Sequence, residues 1–300
     1  MENTAPIHYY NRYTRQIEQE KILGERGLRW VYGSALGRLS LHLLLKRAFF
    51  SQLIGALKST RRSARSLPTF VQEYGINTAE MAQPLESFKS FNDFFIRKLK
   101  PDARPTAPGD LIALPADGRH SAWQDAAQIR HVFVKGQSFD LPALLGSAEL
   151  AARYEHGGVL LSRLCPVDYH RFHFPADGVP GAPLRIPGPL ASVSPYCLRR
   201  QLAWLWTNKR ELTLLQTQHI GQVAILAVGA TGVGAMHYTF QPGHPVQKGE
   251  EMGYFSFGGS TIICFFEPGR IRFAADLLEQ TSLGRELYAR QGDVLGSPCS

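Results

Sequence analysis

The chain is poor in the features that mark several large classes of protein. Four cysteines in 300 residues (Cys165, Cys197, Cys264 and Cys299) show no CxxC spacing, which argues against a zinc or disulfide framework and suits a reducing compartment. There is no HExxH helix for a metalloprotease and no GxSxG elbow for an α/β-hydrolase. No internal repeat or low-complexity segment is visible. Met1–Lys21 is polar and mixed in charge, so no secretory signal is expected. Long apolar runs are also missing: Arg38, His42, Lys46 and Arg47 interrupt every window of about 18 residues that a membrane span would need.

What is present is uneven. Residues 1–68 carry 12 of the 33 Lys and Arg but only four of the 25 acids, so the whole net charge of +8 lies there. Such asymmetry points to an anionic partner, a membrane surface or a nucleic acid. No helix-turn-helix, zinc-finger or RNA-platform signature accompanies the charge, which argues against nucleic acid. Residues 8–26 read as a short arm and a helix, and residues 28–58 as helical with a break near Gly33–Gly37. Leu36, Leu39, Leu43, Phe50 and Leu53 recur at helical spacing, with Arg38, Lys46 and Arg47 among them. That pattern favours a basic amphipathic helix lying in the headgroup plane over a helix that packs its apolar stripe on the protein body. The basic run from Lys58 to Arg65 would add attraction to anionic lipid.

Pro101, Pro105 and Pro108 mark a boundary, giving a helical region over 1–108 and a β-rich region over 109–300. Short apolar runs between turn residues follow at 111–114, 131–134, 158–161, 169–174, 212–217, 222–228, 236–240 and 261–266. Helical interludes are expected at Leu141–Tyr154 and Tyr196–Trp206, and the tail from Leu283 is expected to be loosely held. The fold class is therefore α+β: a helical, membrane-contacting N-terminal region, then a mainly antiparallel β catalytic body resembling a barrel or sandwich.

Three stretches carry chemistry. Gly258-Gly259-Ser260-Thr261 lies between β-prone flanks. It reads as a hairpin turn, or as a bend that presents the Ser260 hydroxyl to the carbonyl of Gly259. Asp117-Gly118 closes an apolar run, either as turn chemistry or as an orienting carboxylate. In Asp168-Tyr169-His170-Arg171-Phe172-His173, an extended chain sends His170 and His173 to opposite faces. A helix would instead align them for a metal, but a third ligand is lacking, so no metal is expected. Asp117, His173 and Ser260 together supply a carboxylate, an imidazole and a hydroxyl, the parts of a nucleophilic relay.

At this point the chain resembles the phosphatidylserine decarboxylase proenzymes of the prokaryotic, pyruvoyl-dependent type. The resemblance rests on Phe91–Pro101, Pro115–Gly118, Asp168–Pro175, Val228–Thr231 and Lys248–Phe255 leading into Gly258–Thr261. The blocks fall in family order over roughly residues 8–275. Gly258 stands where the family commonly has Leu. The resemblance implies self-cleavage between Gly259 and Ser260, with Asp117, His173 and Ser260 as the cleavage triad. Ser260 would become a covalent pyruvoyl group. Fragments 1–259 and 260–300 would stay together, and homo-oligomers are possible for such a chain. His170 is the candidate for decarboxylation of phosphatidylserine to phosphatidylethanolamine and CO2. A peripheral position on the cytoplasmic side of the cell membrane follows from the lipid substrate. Two other readings stay open: a pyruvoyl decarboxylase of a soluble amino acid, and a lipoyl-like carrier or binding module suggested by Val246–Gly253, although Lys248 lacks the apolar or Met neighbours of a modified lysine.

Overall fold

The computed structural model describes residues 6–21, 23, 48–131, 140–190, 207–229, 236–257 and 260–299. The anticipated helix at Tyr196–Trp206 and the residues Leu36, Arg38, Leu39, Leu43, Lys46, Arg47, Gly258 and Gly259 lie outside them.

Three strands form the centre: β5 (Val159–Leu164), β10 (Gln222–Gly229) and β13 (Ser260–Phe265). All three are mostly apolar, with Arg163 the one charge among them, as strands buried on both faces must be. Along β13 the period of two is visible in the packing. Ile262 and Cys264 enter one core with Leu160, Leu164 and Ile225. Ile263 and Phe265 enter the other with Leu161, Ala224 and Leu226.

Around this centre runs a ten-stranded sheet. It adds β1 (His8–Asn11), β2 (Gln16–Gln19), β4 (Gly118–Trp123), β7 (Val179–Pro180), β8 (Leu184–Ile186), β9 (Arg210–Gln216) and β15 (Glu286–Ala289). The order is β2-β1-β15-β4-β5-β13-β10-β9-β7, with β8 also on β9. Only β1 with β15 is parallel; the other pairs are antiparallel. Two three-stranded sheets cover the first core: β11 (Met236–Tyr238), β12 (Glu251–Phe255) and β6 (Arg171–His173); and β14 (Ile271–Phe273), β16 (Val294–Pro298) and β3 (Ile112–Ala113).

The helices are short. α1 (Ala48–Lys58), α2 (Leu67–Tyr74) and α3 (Phe91–Phe95) gather an aromatic cluster of Phe70, Phe88, Phe91, Phe94 and Phe95, which also takes in Phe257. α4 (Leu141–Leu145) and α5 (Ala148–Tyr154) pack on the second core, separated by Gly146 in a left-handed conformation that ends α4. α6 (Ala275–Ser282) buries Leu277 in the first core.

The α+β class with mostly antiparallel pairing is therefore observed. The sheet does not close: among the described residues its order ends at β2 and β7, so the barrel expectation is corrected. Residues 8–19 form a hairpin rather than an arm and a helix. The hairpin is held by side-chain bonds from Tyr9, Asn11 and Thr14 to Glu18 and by Arg12 to Asp276. The tail from Leu283 is two strands, because Glu286–Tyr288 pairs with β1, Leu287–Ala289 with β4, and Val294–Pro298 lies between β14 and β3. His131 ends a 3-10 helix (Ala126–His131) instead of starting a strand.

Candidate active site

Ser260 is the first residue of β13, paired with Leu164 on one side and Gly229 on the other. It is fully buried. By the alternation above, its side chain shares a face with Ile262 and Cys264, the face covered by the segment carrying Phe172 and Phe174. That segment brings His170 to it, with Nδ1 3.2 Å from Ser260 Oγ. The other ring nitrogen, Nε2, lies 2.8 Å from the carbonyl oxygen of Cys165. A carbonyl can only accept, so Nε2 carries the hydrogen and Nδ1 is free to accept from the Ser260 hydroxyl. Burial, helped by the charge of Arg97, pushes the His170 pKa down to about 3 despite the carbonyl contact. The imidazole is neutral near pH 7 and its lone pair faces Oγ. Phe95 of α3 stacks on the ring at 3.8 Å between centroids.

His173 points the other way, as the extended reading requires. Its ring stacks on Tyr169 at 5.8 Å, and its backbone N–H donates to the carbonyl of Pro115 at 2.7 Å. Burial pushes its pKa down to about 4. Its Nδ1 is buried with no partner among the described residues. Asp117 lies two residues from Pro115, and its carboxylate is taken by Arg104. Nε donates at 2.9 and 3.1 Å and Nη2 at 2.7 Å, while the N–H of Gln291 adds a bond of 2.8 Å. The structure therefore brings Ser260 to His170. Among the hydrogen bonds of the described residues, none joins Asp117 to His173 or His173 to Ser260.

Several groups that build the site are not apparent from residue type alone. The turn Cys165–Asp168 presents the carbonyl that orients His170. The Asp168 carboxylate accepts from Cys165 N–H at 2.6 Å and from Arg119 Nη1 at 2.6 and 2.8 Å. Burial pushes the Asp168 carboxyl up, and the Arg119 guanidinium pulls against it. Beside this pair, Arg163 bridges Glu20 at 2.7 Å and Glu286 at 2.5 Å. Burial alone would raise the Glu20 carboxyl, but the charges and hydrogen bonds of Arg163 and Arg119 bring it down to about 2. Asn92 Oδ1 accepts from the N–H of Phe257 at 2.9 Å, tying α3 to the chain just before the two glycines. The block Phe91–Pro101 carried this signal in sequence without saying what it touches.

Lys248 is tied down. Its Nζ donates to the carbonyls of Gly109 at 2.6 Å and Leu111 at 2.8 Å, so it does not stand free at a hairpin tip as a carrier lysine must. Among the described residues, no helix is long and apolar enough to cross a membrane.

A buried serine at a strand start, its hydroxyl facing the lone pair of a neutral imidazole, defines a nucleophilic site set inside a sheet. Comparison with known proteins gives the particular family. The phosphatidylserine decarboxylase family model matches residues 91–294. The chain is 42% identical over 289 residues to the phosphatidylserine decarboxylase proenzyme of Chlamydia trachomatis serovar D, covering 96% of each chain. It is 41% identical over 292 residues to that of Clostridium novyi, covering 97% of this chain and 99% of the relative. With the proenzyme of Chlamydia pneumoniae the identity is 39% over 289 residues, 96% of each. The chain belongs to the phosphatidylserine decarboxylase family.

Proposed function

We propose that this chain cuts itself between Gly259 and Ser260 and then decarboxylates phosphatidylserine to phosphatidylethanolamine. The observation that carries the reading is the contact of a fully buried Ser260 hydroxyl with the unprotonated Nδ1 of His170. The names of the relatives, decarboxylases and proenzymes, agree with it.

Ser260 Oγ attacks the carbonyl carbon of residue 259, and the bond from that carbon to the Ser260 nitrogen breaks, leaving an ester. Loss of the α-proton of residue 260 expels the carboxylate of fragment 1–259 and leaves a dehydroalanine. Water then releases ammonia and leaves a pyruvoyl group at position 260. The surroundings fit such a group, because it would be made from Ser260 itself, out of water, beside an imidazole whose face is covered by the Phe95 ring. A pyruvoyl carbonyl supplies an electron-accepting centre for the amine-bearing carbon of the substrate as CO2 leaves. His170, at the reacting atoms, moves the proton that the product carbon needs.

Asp117 and His173 are proposed as the pair that takes the Ser260 proton during self-cleavage. This needs Asp117 to leave Arg104, and the unpartnered Nδ1 of His173 is the open position it would fill. The 3.2 Å contact favours a second division, in which His170 takes that proton itself. Denaturing gels and intact masses separate the two. Ser260→Ala should stay one chain under both. Under the first division His170→Ala is cut but inactive, while Asp117→Ala and His173→Ala stay whole. Under the second, His170→Ala stays whole. A wild-type chain that turns over lipid without being cut would refute the pyruvoyl reading.

The partner surface is proposed to be an anionic membrane, approached peripherally from the cytoplasmic side. In the described part of the N-terminal region, Leu53 and Leu57 are exposed on α1, followed by Lys58, Arg61, Arg62 and Arg65. A soluble amino acid as substrate would leave these features without a role.

A further inference from the structure

We infer that Arg119 and Asp168 are positioning residues for His170, acting through the Cys165–Asp168 turn to hold the imidazole with its hydrogen on Nε2 and its lone pair toward position 260. The inference rests on the reading that His170 works at position 260.

The contacts form one continuous line through the interior. Arg119, on β4, points its guanidinium between the rings of Tyr9 at 4.9 Å and Tyr288 at 5.1 Å, which fixes its plane. One nitrogen, Nη1, donates to both oxygens of Asp168, and the same carboxylate accepts the Cys165 N–H. Asp168 N–H returns a bond of 2.9 Å to the Cys165 carbonyl, closing the turn. That carbonyl has a second lone pair, and it accepts His170 Nε2–H. From the other side, Arg97 donates to the carbonyls of Val167 at 3.3 Å and Asp168 at 3.2 Å. The turn whose carbonyl sets the tautomer is therefore held by the Asp168 carboxylate, which Arg119 fixes, and by Arg97, all buried.

A neutral imidazole has two tautomers of similar energy, and only one leaves Nδ1 able to accept from Oγ. Packing alone does not choose between them, since the ring shape is the same. A fixed carbonyl does. A buried ion pair is expensive to keep, and an apolar pair of similar volume would often be as stable. Fixing one acceptor in place is a reason for keeping it.

The test uses the Asp168→Asn/Arg119→Gln double variant, which removes both charges of the pair together, with Arg119→Lys as the milder change. In an uncut Ser260→Ala background, 15N spectra of histidine-labelled chain are assigned by difference against His170→Ala. The parent should show His170 as a single Nε2–H tautomer and the double variant a mixture, with an unchanged melting profile for the rest of the chain. In the Ser260 background, the step lost by His170→Ala should slow by about 10- to 100-fold in the double variant, with KM within about threefold. Arg119→Lys should lie between. A folded double variant with an unmoved tautomer and unmoved rate overturns the inference, as does one that loses a step His170→Ala retains. If the double variant does not fold, Arg119→Lys decides by the same two readouts. Should His170→Ala keep both cleavage and decarboxylation, the underlying reading fails instead.

Discussion

Acid should unfold this protein earlier than its count of carboxylates suggests, because three histidines are buried uncharged. His120 accepts from Ser162 and faces the Ala289 carbonyl, and burial pushes its pKa down to about 3. His170 lies at about 3 and His173 at about 4. An unfolded chain holds histidine near 6.5, so the unfolded state takes up protons first as pH falls. Stability is therefore full above about 6.5 and is lost progressively toward the folded values. At pH 5 each histidine has cost about 2 kcal/mol, or about 6 kcal/mol for the three, against a total of roughly 5–15 kcal/mol for a typical domain. Glu20 contributes little over this window: its share is lost as pH falls from the ordinary carboxylate range toward its folded pKa of about 2. The assay is the urea midpoint of the uncut Ser260→Ala chain at pH 7, 6 and 5, which avoids a two-fragment unfolding. His120→Gln, outside the candidate site, should remove about a third of the loss. A midpoint unchanged between pH 7 and 5, or the same slope in His120→Gln, would refute the neutral-histidine account.

Three other outcomes follow from particular contacts. Phe95→Leu keeps an apolar group but loses the ring stacked on His170, and should lower decarboxylation while costing about 1–2 kcal/mol in a thermal melt. At Gly253 a Cβ would stand 2.2 Å from the carbonyl oxygen of His237, so Gly253→Ala should open the β11–β12 pairing and cost about 1–3 kcal/mol, read by amide exchange at Tyr238 and Tyr254. Changing Lys58, Arg61, Arg62 and Arg65 together to Gln should weaken flotation with vesicles rich in phosphatidylserine by about 1 kcal/mol per charge, and leave weak binding to neutral vesicles unchanged.

The parts of the fold legible in sequence were those whose reasons are local. The apolar runs expected at 158–161, 222–228 and 261–266 fall on β5, β10 and β13, strands because they fill two cores at once. Residues 141–154 are helices because capping side chains, Asp140 and Ser147, open each one. The strands at 8–11 and 286–289 escaped because each is the other's partner across the whole chain, and neither is apolar enough to announce itself. β4 reads as Gly-Arg-His-Ser-Ala-Trp, a polar string that looks exposed. It is buried throughout because Arg119 finds Asp168 and His120 finds Ser162. At the site, the residue types were legible and the pairing was not. Period two separated His170 from His173, but which of them meets Ser260 depends on the register of β6 against β12 and on the Cys165–Asp168 turn.

Where Ser260 stands in the sheet bears on why a chain can be cut there without falling apart. A cut before Ser260 would leave β13 paired along its length with β5 and β10, both from the other fragment. β15 would remain between β1 and β4, and β16 beside β3. The small fragment is thus threaded through the large sheet at two places and joined to β3 in a smaller one, and removing it would expose the cores that Ile262, Ile263 and Phe265 fill. The same threading fixes the new chain end. Free N-termini ordinarily fray, yet residue 260 would be held by neighbours on both strands with His170 at its side chain. A reactive group made there needs no further ordering when substrate arrives, because the sheet that survives the cut has already placed it.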